Sequence, residues 1–345
     1  MNEALRSIEL PPRRTPLPPA VYVQLLLIPV LAAVTGAQSS PSAGFIYVSN
    51  ERERSISVID EAKRQVSATV PVAGRPRGLH VAPDGRTVYV ALSDQAQQVQ
   101  GDEDGIAAID VRTARVRRLF PAGTDPEAFA IGPRGLHLYA SNEDAGTASV
   151  IDTRTGHVVA TLVVGIEPEG VAIGPGGRFV YVTAETSNTV SVIDTRKHEV
   201  VASFLVDPRP RAAAFAPDGA RAYVTAEIGA TVAVVDARAH RVLGRVRLPR
   251  EAKPVGVAVS PDSRTVYVAN GHGNSVSVID ADRMEVVRTV PVGRRPWGIA
   301  LNQDGSRLYT ANGLSNDVSV VDTASGRLVG AIEVGEGPWG VAIGQ

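Results

Sequence analysis

The sequence contains no cysteine, and this absence removes several classes of site at once. A chain without thiols cannot form disulfides, attach a c-type haem covalently, use a thiol nucleophile, bind zinc through thiolates or carry a lipoprotein anchor. Aromatic residues are scarce, at 5% of the 345 residues. The formal net charge is −1, so no strong electric field attracts the chain to nucleic acid or to an anionic membrane surface. We therefore expect no nucleic-acid partner.

Glycine, proline and aliphatic residues are what the chain has in quantity. It contains 33 glycines and 24 prolines, and 44% of its residues are hydrophobic. This composition is typical of many short strands joined by tight turns. A chain of this length can also bury a large core, which fits one all-β domain.

The first 44 residues lack the pattern that fills the rest of the chain. Three arginines precede an apolar run of about 15 residues, shorter than the roughly 20 that cross a bilayer as a helix. A small-residue stretch ends the run, which is the layout of a secretory signal peptide. We predict a signal peptide at 1–37, a short linker at 38–44, export to the periplasm or outside the cell, and no membrane span after cleavage. A retained anchor or a disordered extension is the alternative. The residues concerned are Arg6, Arg13 and Arg14, the run 20–34, and Thr35, Gly36 and Ala37.

From residue 45 onward the sequence is an internal repeat. An aspartate that ends each "SVID"-like run recurs at spacings of 50, 42, 42, 42, 44 and 42 residues. Apolar residues alternate with a period of two, and glycine or proline separates the runs, so the repeats are built from strands. Seven such units fill 45–345. The aspartates are Asp60, Asp110, Asp152, Asp194, Asp236, Asp280 and Asp322.

One unit contains four strands, which in the fourth unit are predicted at 170–174, 179–184, 189–194 and 199–206. Seven four-stranded antiparallel units are typical of a β-propeller. The chain begins with a second-type strand, "FIYVSN", and ends on a first-type strand, "GVAIGQ". We therefore predict an all-β, seven-bladed β-propeller in which the C-terminal strand completes the N-terminal blade. The repeated aspartates are interpreted as acceptors for turn N–H groups.

The repeat motifs resemble a known family. Tyr-Val-Thr/Ala-Asn followed by Ser-Val-Ile-Asp, with Val-Gly-x-x-Pro-x-Gly and Pro-Asp-Gly, is similar to the YVTN-type seven-bladed β-propeller repeats of secreted prokaryotic proteins, across essentially all of 45–345. The series from "RPRGLHVAPDG" to "GPWGVAIG" more narrowly resembles propeller proteins associated with alcohol catabolism that depends on pyrroloquinoline quinone (PQQ). The second unit departs from that pattern by an eight-residue expansion. The narrower resemblance implies an exported companion of a quinoprotein dehydrogenase; PQQ belongs to that enzyme, and no cofactor is expected on this chain.

Strand polarity predicts which residues surround the central channel. The residue after each first-strand proline should form a ring at the channel mouth, half ionic and half apolar. Either the opposite charges pair and the tryptophans plug the channel, or these groups receive a ligand, guanidinium for carboxylate and indole for an apolar or planar part. The ring comprises Arg77, Glu127, Glu169, Arg211, Val255, Trp297 and Trp339. A rim of Asn50, Glu51, Asn142, Glu143, Glu185, Glu227, Asn270, His272 and Asn312 should surround it.

Catalytic and metal-binding patterns are weak in the sequence. Of the six histidines, His272 alone is predicted in a channel-face loop, and we include it with the ring as a candidate ligand-binding residue. No second histidine accompanies it, so no metal site is predicted. His80 is interpreted as a core or channel-wall residue. The acidic insert 100–106 is interpreted as a solvated loop because it lacks the alternating ligand spacing of a calcium loop.

Three classes of function remain open, with a haem d1-type propeller as a minor fourth. The first is an exported, monomeric, non-catalytic binding or scaffold propeller, accessory to periplasmic quinoprotein oxidation, that binds a periplasmic dehydrogenase or a small molecule at its channel face. The second is a propeller enzyme such as a lactonase or lyase. The third is a cell-surface or adhesion protein. A carboxylate–histidine cluster at the mouth would favour the enzyme.

Overall fold

The computed structural model describes residues 44–94 and 103–344. The predicted signal peptide and all of the linker except Gly44 lie outside the described residues, so both stay predictions. Residues 100–102 of the acidic insert also lie outside them, whereas 103–106 are described, with Asp104 buried and Gly105 and Ile106 in a strand. Within the described residues no helix is both long enough and apolar enough to span a membrane.

The described chain forms seven four-stranded antiparallel sheets, which we call blades 1 to 7. The inner strands are β4 (Arg75–Val81), β8 (Pro126–Ile131), β12 (Pro168–Ile173), β16 (Pro210–Phe215), β20 (Pro254–Val259), β24 (Pro296–Leu301) and β28 (Pro338–Ile343). The second strands are β1 (Phe45–Asn50), β5 (Thr87–Ser93), β9 (His137–Asn142), β13 (Phe179–Ala184), β17 (Arg221–Ala226), β21 (Thr265–Asn270) and β25 (Arg307–Asn312). The third strands are β2 (Ser55–Asp60), β6 (Gly105–Asp110), β10 (Thr147–Asp152), β14 (Thr189–Asp194), β18 (Thr231–Asp236), β22 (Ser275–Asp280) and β26 (Asp317–Asp322).

The outer strands complete the blades. They are β3 (Gln65–Pro71), β7 (Arg115–Phe120), β11 (Val158–Val163), β15 (Glu199–Leu205), β19 (Arg241–Arg247), β23 (Glu285–Pro291) and β27 (Arg327–Glu333). Two single-turn 3₁₀ helices follow inner strands, at Pro133–Gly135 and Pro175–Gly177. Blade 2 contains β4 to β7, and the later blades follow in chain order up to β24 to β27 in blade 7.

The ring closes as the sequence predicts. Strand β28, at the C-terminus, pairs antiparallel with β1, and Ala342 lies opposite Tyr47. Blade 1 therefore consists of β28, β1, β2 and β3. Each inner strand also contacts the inner strand of the next blade, so the seven inner strands form a closed cycle. This arrangement confirms the seven-bladed, all-β propeller.

Burial explains which residues the second, third and outer strands contain. Second and third strands are apolar on both faces because each face packs against a neighbouring blade, as for Val180, Val182, Val190 and Val192 of blade 4. Outer strands alternate between exposed and partly buried residues. The hydrophobic core is consequently divided into clusters that lie between consecutive blades.

The repeated aspartates act as predicted. In every blade the aspartate that ends the third strand accepts a backbone N–H from the following turn. Asp194, for example, accepts from the Arg196 N–H at 2.8 Å and from the Arg178 guanidinium at 2.6 Å. These hydrogen bonds hold the pKa of the Asp194 carboxyl below its usual value, although burial acts in the opposite direction. The seven aspartates are thus structural residues of the fold.

Candidate functional site at the channel mouth

A β-bulge positions every residue of the predicted ring. In blade 4, Glu169 and Gly170 of β12 together lie opposite one residue of β13, Thr183. The same register shift occurs in the other six blades. A bulge bends a strand and changes the direction of its side chain. In each blade the residue after the proline falls in this bulge, at the channel mouth.

In four of the seven blades a buried hydroxyl then fixes the backbone of the bulge. The Thr183 hydroxyl accepts the Gly170 N–H at 2.8 Å and donates to the carbonyl of Arg211, in the next blade, at 3.0 Å. A Cβ atom on Gly170 would collide with that Arg211 carbonyl oxygen, which explains the glycine after the ring residue. The same contact to the next blade recurs from Ser49 to Arg77, from Ser141 to Glu169 and from Thr225 to Val255.

The first ionic cluster of the mouth centres on Arg77. Its guanidinium lies 3.0 Å from the Glu127 carboxylate and 3.5 Å from that of Glu51. Arg75 lies 3.3 Å from Glu51 and 3.1 Å from Asp125. Glu127 is fully buried. Burial acts to lower the pKa of Arg77, but Glu127 and Glu51 outweigh it and the pKa is raised, so this guanidinium stays charged.

Two carboxyls of this region lie in environments that raise their pKa. Burial is the main cause that raises the pKa of Glu127 well above its usual range, and the Arg77 charge only partly offsets it. Burial, with Glu169 and Asp125 nearby, also raises the pKa of Glu143. Carboxylate oxygens of Asp125, Glu127 and Glu143 come within 4.8 Å of one another, as cation ligands would. Arg75 and Arg77 already supply positive charge there, so the arrangement suits a shared proton better than a metal ion.

The second ionic cluster centres on Arg211 and Arg209. Arg211 lies 2.8 Å from Glu169 and also pairs with Glu185. Arg209 lies 2.8 Å from Glu185 and 3.2 Å from Glu227. The structure therefore contains both ion pairs of the first interpretation, Arg77 with Glu127 and Arg211 with Glu169. The additional partners come from the predicted acidic rim.

The tryptophans complete the ring. The Trp297 and Trp339 rings stack with centroids 6.4 Å apart and planes 18° from parallel. The Arg77 guanidinium lies over Trp339 at 5.6 Å, and the Arg211 guanidinium lies over Trp297 at 5.4 Å. Such cation–π contacts join the ionic half of the mouth to its apolar half. Val255, the remaining ring member, is buried.

Below the mouth lies a cavity of about 180 Å³, which we call the channel cavity. Every inner strand contributes to its wall, which is mostly apolar. Among the described residues that line it, the charged or titratable side chains are His80, Glu169 and Arg211. Trp339 also lines it, and its indole N–H has no hydrogen-bond acceptor among the described residues. Other lining residues include Leu79, Ala128, Val171, Ala213, Val255, Val257, Trp297, Ile299 and Val341.

His80 is the histidine that the fold brings to this cavity. Its ring is open to the channel but enclosed by protein, and it meets the Phe129 ring edge-on at 5.1 Å. Desolvation lowers the pKa of its imidazole below the usual 6.5, and a hydrogen bond to the Phe129 backbone partly opposes this. The neutral imidazole is therefore the form that this environment favours. His80 belongs to the channel wall, one of the two placements considered from the sequence.

The structure does not bring every predicted residue together. His272 is exposed in the loop after β21 and is not among the residues that line the channel cavity. Sequence reasoning also missed Arg75, Arg209 and Arg295, which lie just before the inner-strand prolines and border the mouth. Their signal was present, because an arginine stands directly before the proline in three repeats.

One family model matches part of the sequence. The sequence model of the family described as "Lactonase, 7-bladed beta-propeller" matches residues 207–339, which span blades 5 to 7 and the first residues of β28. No curated protein matches the sequence.

Structural comparison finds the same fold in proteins of low sequence identity. Hydrazine synthase of Kuenenia stuttgartiensis is 23% identical, with a TM-score of 0.74 over 83% of this chain and 94% of that one. A provisionally named 6-phosphogluconolactonase of Bacteroides uniformis is 17% identical, with a TM-score of 0.74 over 88% and 99%. A second such protein, from Bacteroides fragilis, is 18% identical, with a TM-score of 0.71 over 88% and 99%. With the blades described above, these matches show that the chain is a seven-bladed β-propeller repeat protein.

Proposed function

We propose that this protein is a hydrolase that opens the ring of a small lactone in the channel cavity. Two findings together support the proposal. The stretch that matches the lactonase family, residues 207–339, supplies Arg211, Trp297 and Trp339 to the same cavity that contains His80. The two provisionally named lactonases of the same fold agree with this assignment.

His80 supplies the general base in this proposal. Hydrolysis adds water to the lactone carbonyl carbon and breaks the ring C–O bond, so that the ring oxygen leaves as a hydroxyl and a hydroxycarboxylic acid forms. The neutral His80 imidazole accepts a proton from the attacking water and returns it to the ring oxygen. Arg211 is the donor for the negative charge that develops on the carbonyl oxygen.

The cavity wall indicates the kind of lactone. Val255, Val257 and Ile299 make much of it apolar, and the stacked tryptophans offer a flat surface. Apolar and aromatic walls with a few polar groups favour a planar or apolar ligand over a highly hydroxylated one. Dihydrocoumarin, a planar aromatic lactone, is therefore expected to react faster than glucono-δ-lactone.

The direct test measures hydrolysis of dihydrocoumarin against pH. The wild-type rate should fall as the pH drops through the lowered pKa of His80, below pH 6.5, and should level off above it. His80→Gln should lower kcat by about 100-fold or more, the usual contribution of a general base. His157→Gln, an exposed histidine on the opposite face, is the matched control and should hydrolyse at the wild-type rate. Failure of the wild type to open any neutral lactone, or an unchanged rate in His80→Gln, would reject the proposal.

A non-catalytic binding propeller is the second candidate, and one observation favours it. Arg77 and Arg211 are already held by carboxylates, so the mouth is electrostatically satisfied before any substrate arrives. In this alternative the protein is exported, acts beside a periplasmic dehydrogenase, and uses the channel face only to bind. Native mass spectrometry of the mature chain would then find a retained ligand or partner, while lactones would stay intact.

A further inference from the structure

Among the described residues, Arg295 at the channel mouth lacks a carboxylate partner. Arg75, Arg77, Arg209 and Arg211 each pair with one or more carboxylates. The Arg295 guanidinium forms neither an ion pair nor a hydrogen bond with any residue in 44–94 or 103–344. It is held instead by the face of Trp297, whose ring centroid lies 4.4 Å away.

The surroundings of Arg295 leave its charge uncompensated. The side chain is partly buried, and desolvation is the main cause that lowers its pKa. Glu227 attracts it, but Arg211 and Arg209 repel it and already pair with that region's carboxylates. A partly desolvated cation without a counter-ion is an unfavourable arrangement that an anionic ligand would relieve.

A second cavity lies beside this guanidinium. It has a volume of about 270 Å³, and we call it the rim cavity. Arg52 lines it with Arg295, and no described carboxylate pairs with Arg52, whose guanidinium donates to the Gly313 carbonyl and the Asn316 amide oxygen at 3.1 Å each. The one carboxylate of its lining, Glu51, is engaged by Arg75 and Arg77. The rim cavity is therefore the cationic part of an otherwise acidic mouth.

Trp297 lines both cavities, so a ligand held at Arg295 would lie against an indole that also forms the wall of the channel cavity. A ligand that places an anion against Arg295 would have its body against the indole and the apolar wall of the channel cavity. The carboxylates that surround the rest of the mouth disfavour a doubly charged anion such as phosphate, because like charges repel in a site partly closed to water. A single planar carboxylate matches the guanidinium fork.

We propose that Arg295, stacked on Trp297 and assisted by Arg52, binds the carboxylate of a small acid whose apolar or planar body lies in the channel cavity. That the acid is the ring-opened product of a lactone rests on the proposed function, since lactone hydrolysis turns a neutral ester into a carboxylate. Arg295 is then the group that distinguishes product from substrate.

The test uses 3-phenylpropanoate, which joins a planar ring to a carboxylate, and 3-phenylpropanamide as its neutral partner. Binding is followed by tryptophan fluorescence, because the two tryptophans of the chain are the two in the mouth. The acid should bind about tenfold more weakly to Arg295→Gln, which loses a charge-assisted hydrogen bond. Its affinity for the wild type should fall with added salt. The amide should bind both proteins equally.

Arg294→Gln, the exposed neighbour outside both cavities, is the matched control and should bind as the wild type does.

Three results would overturn the proposal: equal affinity of the acid for wild type and Arg295→Gln, equal affinity of the wild type for acid and amide, or tighter binding of inorganic phosphate than of the acid. The assay also separates the two proposals. Acid binding that depends on Arg295, without lactone hydrolysis, would support this site and reject the hydrolase. Lactone hydrolysis with acid binding that is independent of Arg295 would do the reverse.

Discussion

At the level of single residues, the channel mouth buries oppositely charged side chains as pairs. Glu127 is fully buried, and Arg77 is its nearest cation. Removing one partner of a buried ion pair leaves the other charge without compensation, whereas replacing both with apolar groups is often tolerated. The raised pKa of Glu127 indicates that burial already strains its ionised form.

The Arg77–Glu127 pair yields a test by double substitution. Arg77→Met should lower the free energy of unfolding by about 3 kcal/mol at pH 8, and Arg77→Met with Glu127→Leu should recover most of that loss. A carboxyl whose pKa is raised in the folded state contributes stability at low pH that is lost as the pH rises through that pKa. The single variant should therefore be less destabilised at pH 5 than at pH 8. Urea unfolding at both pH values measures this, and a double variant less stable than the single one would contradict it.

At the level of structural elements, the β-bulge of each inner strand, and in four blades the hydroxyl that holds it, position the ring residues at the channel mouth. The bulge places one side chain per blade at the mouth, and in four blades a second-strand hydroxyl ties the backbone of the next blade's ring residue. Thr183 is fully buried and serves two backbone groups of different blades. Loss of its hydroxyl would leave both groups without a partner.

Thr183→Val preserves the shape of the side chain and removes the hydroxyl. It should lower the free energy of unfolding by about 1–3 kcal/mol, the cost of leaving buried polar groups unpaired. Thr183→Ser keeps the hydroxyl and loses only a methyl group, so it should cost less, on the order of 1 kcal/mol. Chemical denaturation of both variants tests the role of the hydroxyl. A serine variant less stable than the valine variant would show that packing, not hydrogen bonding, is what Thr183 provides.

Element boundaries show what the sequence could and could not predict. Two strands of blade 4 occur where alternation predicts them, at Phe179–Ala184 and Thr189–Asp194. The inner strand begins at Pro168, two residues before the predicted start at 170, because the bulge keeps the proline in register with β13. A period-two pattern cannot reveal a bulge, since the extra residue breaks the alternation and resembles the end of a strand.

The sequence predicts the part of the site that consists of opposite charges at equivalent repeat positions. Arg77 with Glu127 and Arg211 with Glu169 follow from opposite charges at equivalent positions of neighbouring blades. Arg295 and His80 were not assigned to a site. The first lies before the proline, and the second takes a position where most repeats have alanine. Whether such a residue reaches the channel depends on packing between blades, which a single sequence does not encode locally.

At the scale of the whole molecule, the channel cavity exists only because the ring is closed. All seven inner strands line it, from Leu79 of β4 to Val341 of β28. The pairing of β28 with β1 removes the free edge that an open array of blades would expose. The cavity therefore depends on the complete ring and not on any single blade.

The proposed opening of a lactone in this cavity is tested by measuring kcat/KM for dihydrocoumarin. The comparison is between the wild type and Trp297→Ala with Trp339→Ala, with circular dichroism to confirm that both are folded. The two stacked indoles form the flat wall of the cavity, so the double variant should misplace the substrate and lose about 100-fold in kcat/KM. A folded double variant with the wild-type kcat/KM would show that the substrate does not bind against this wall.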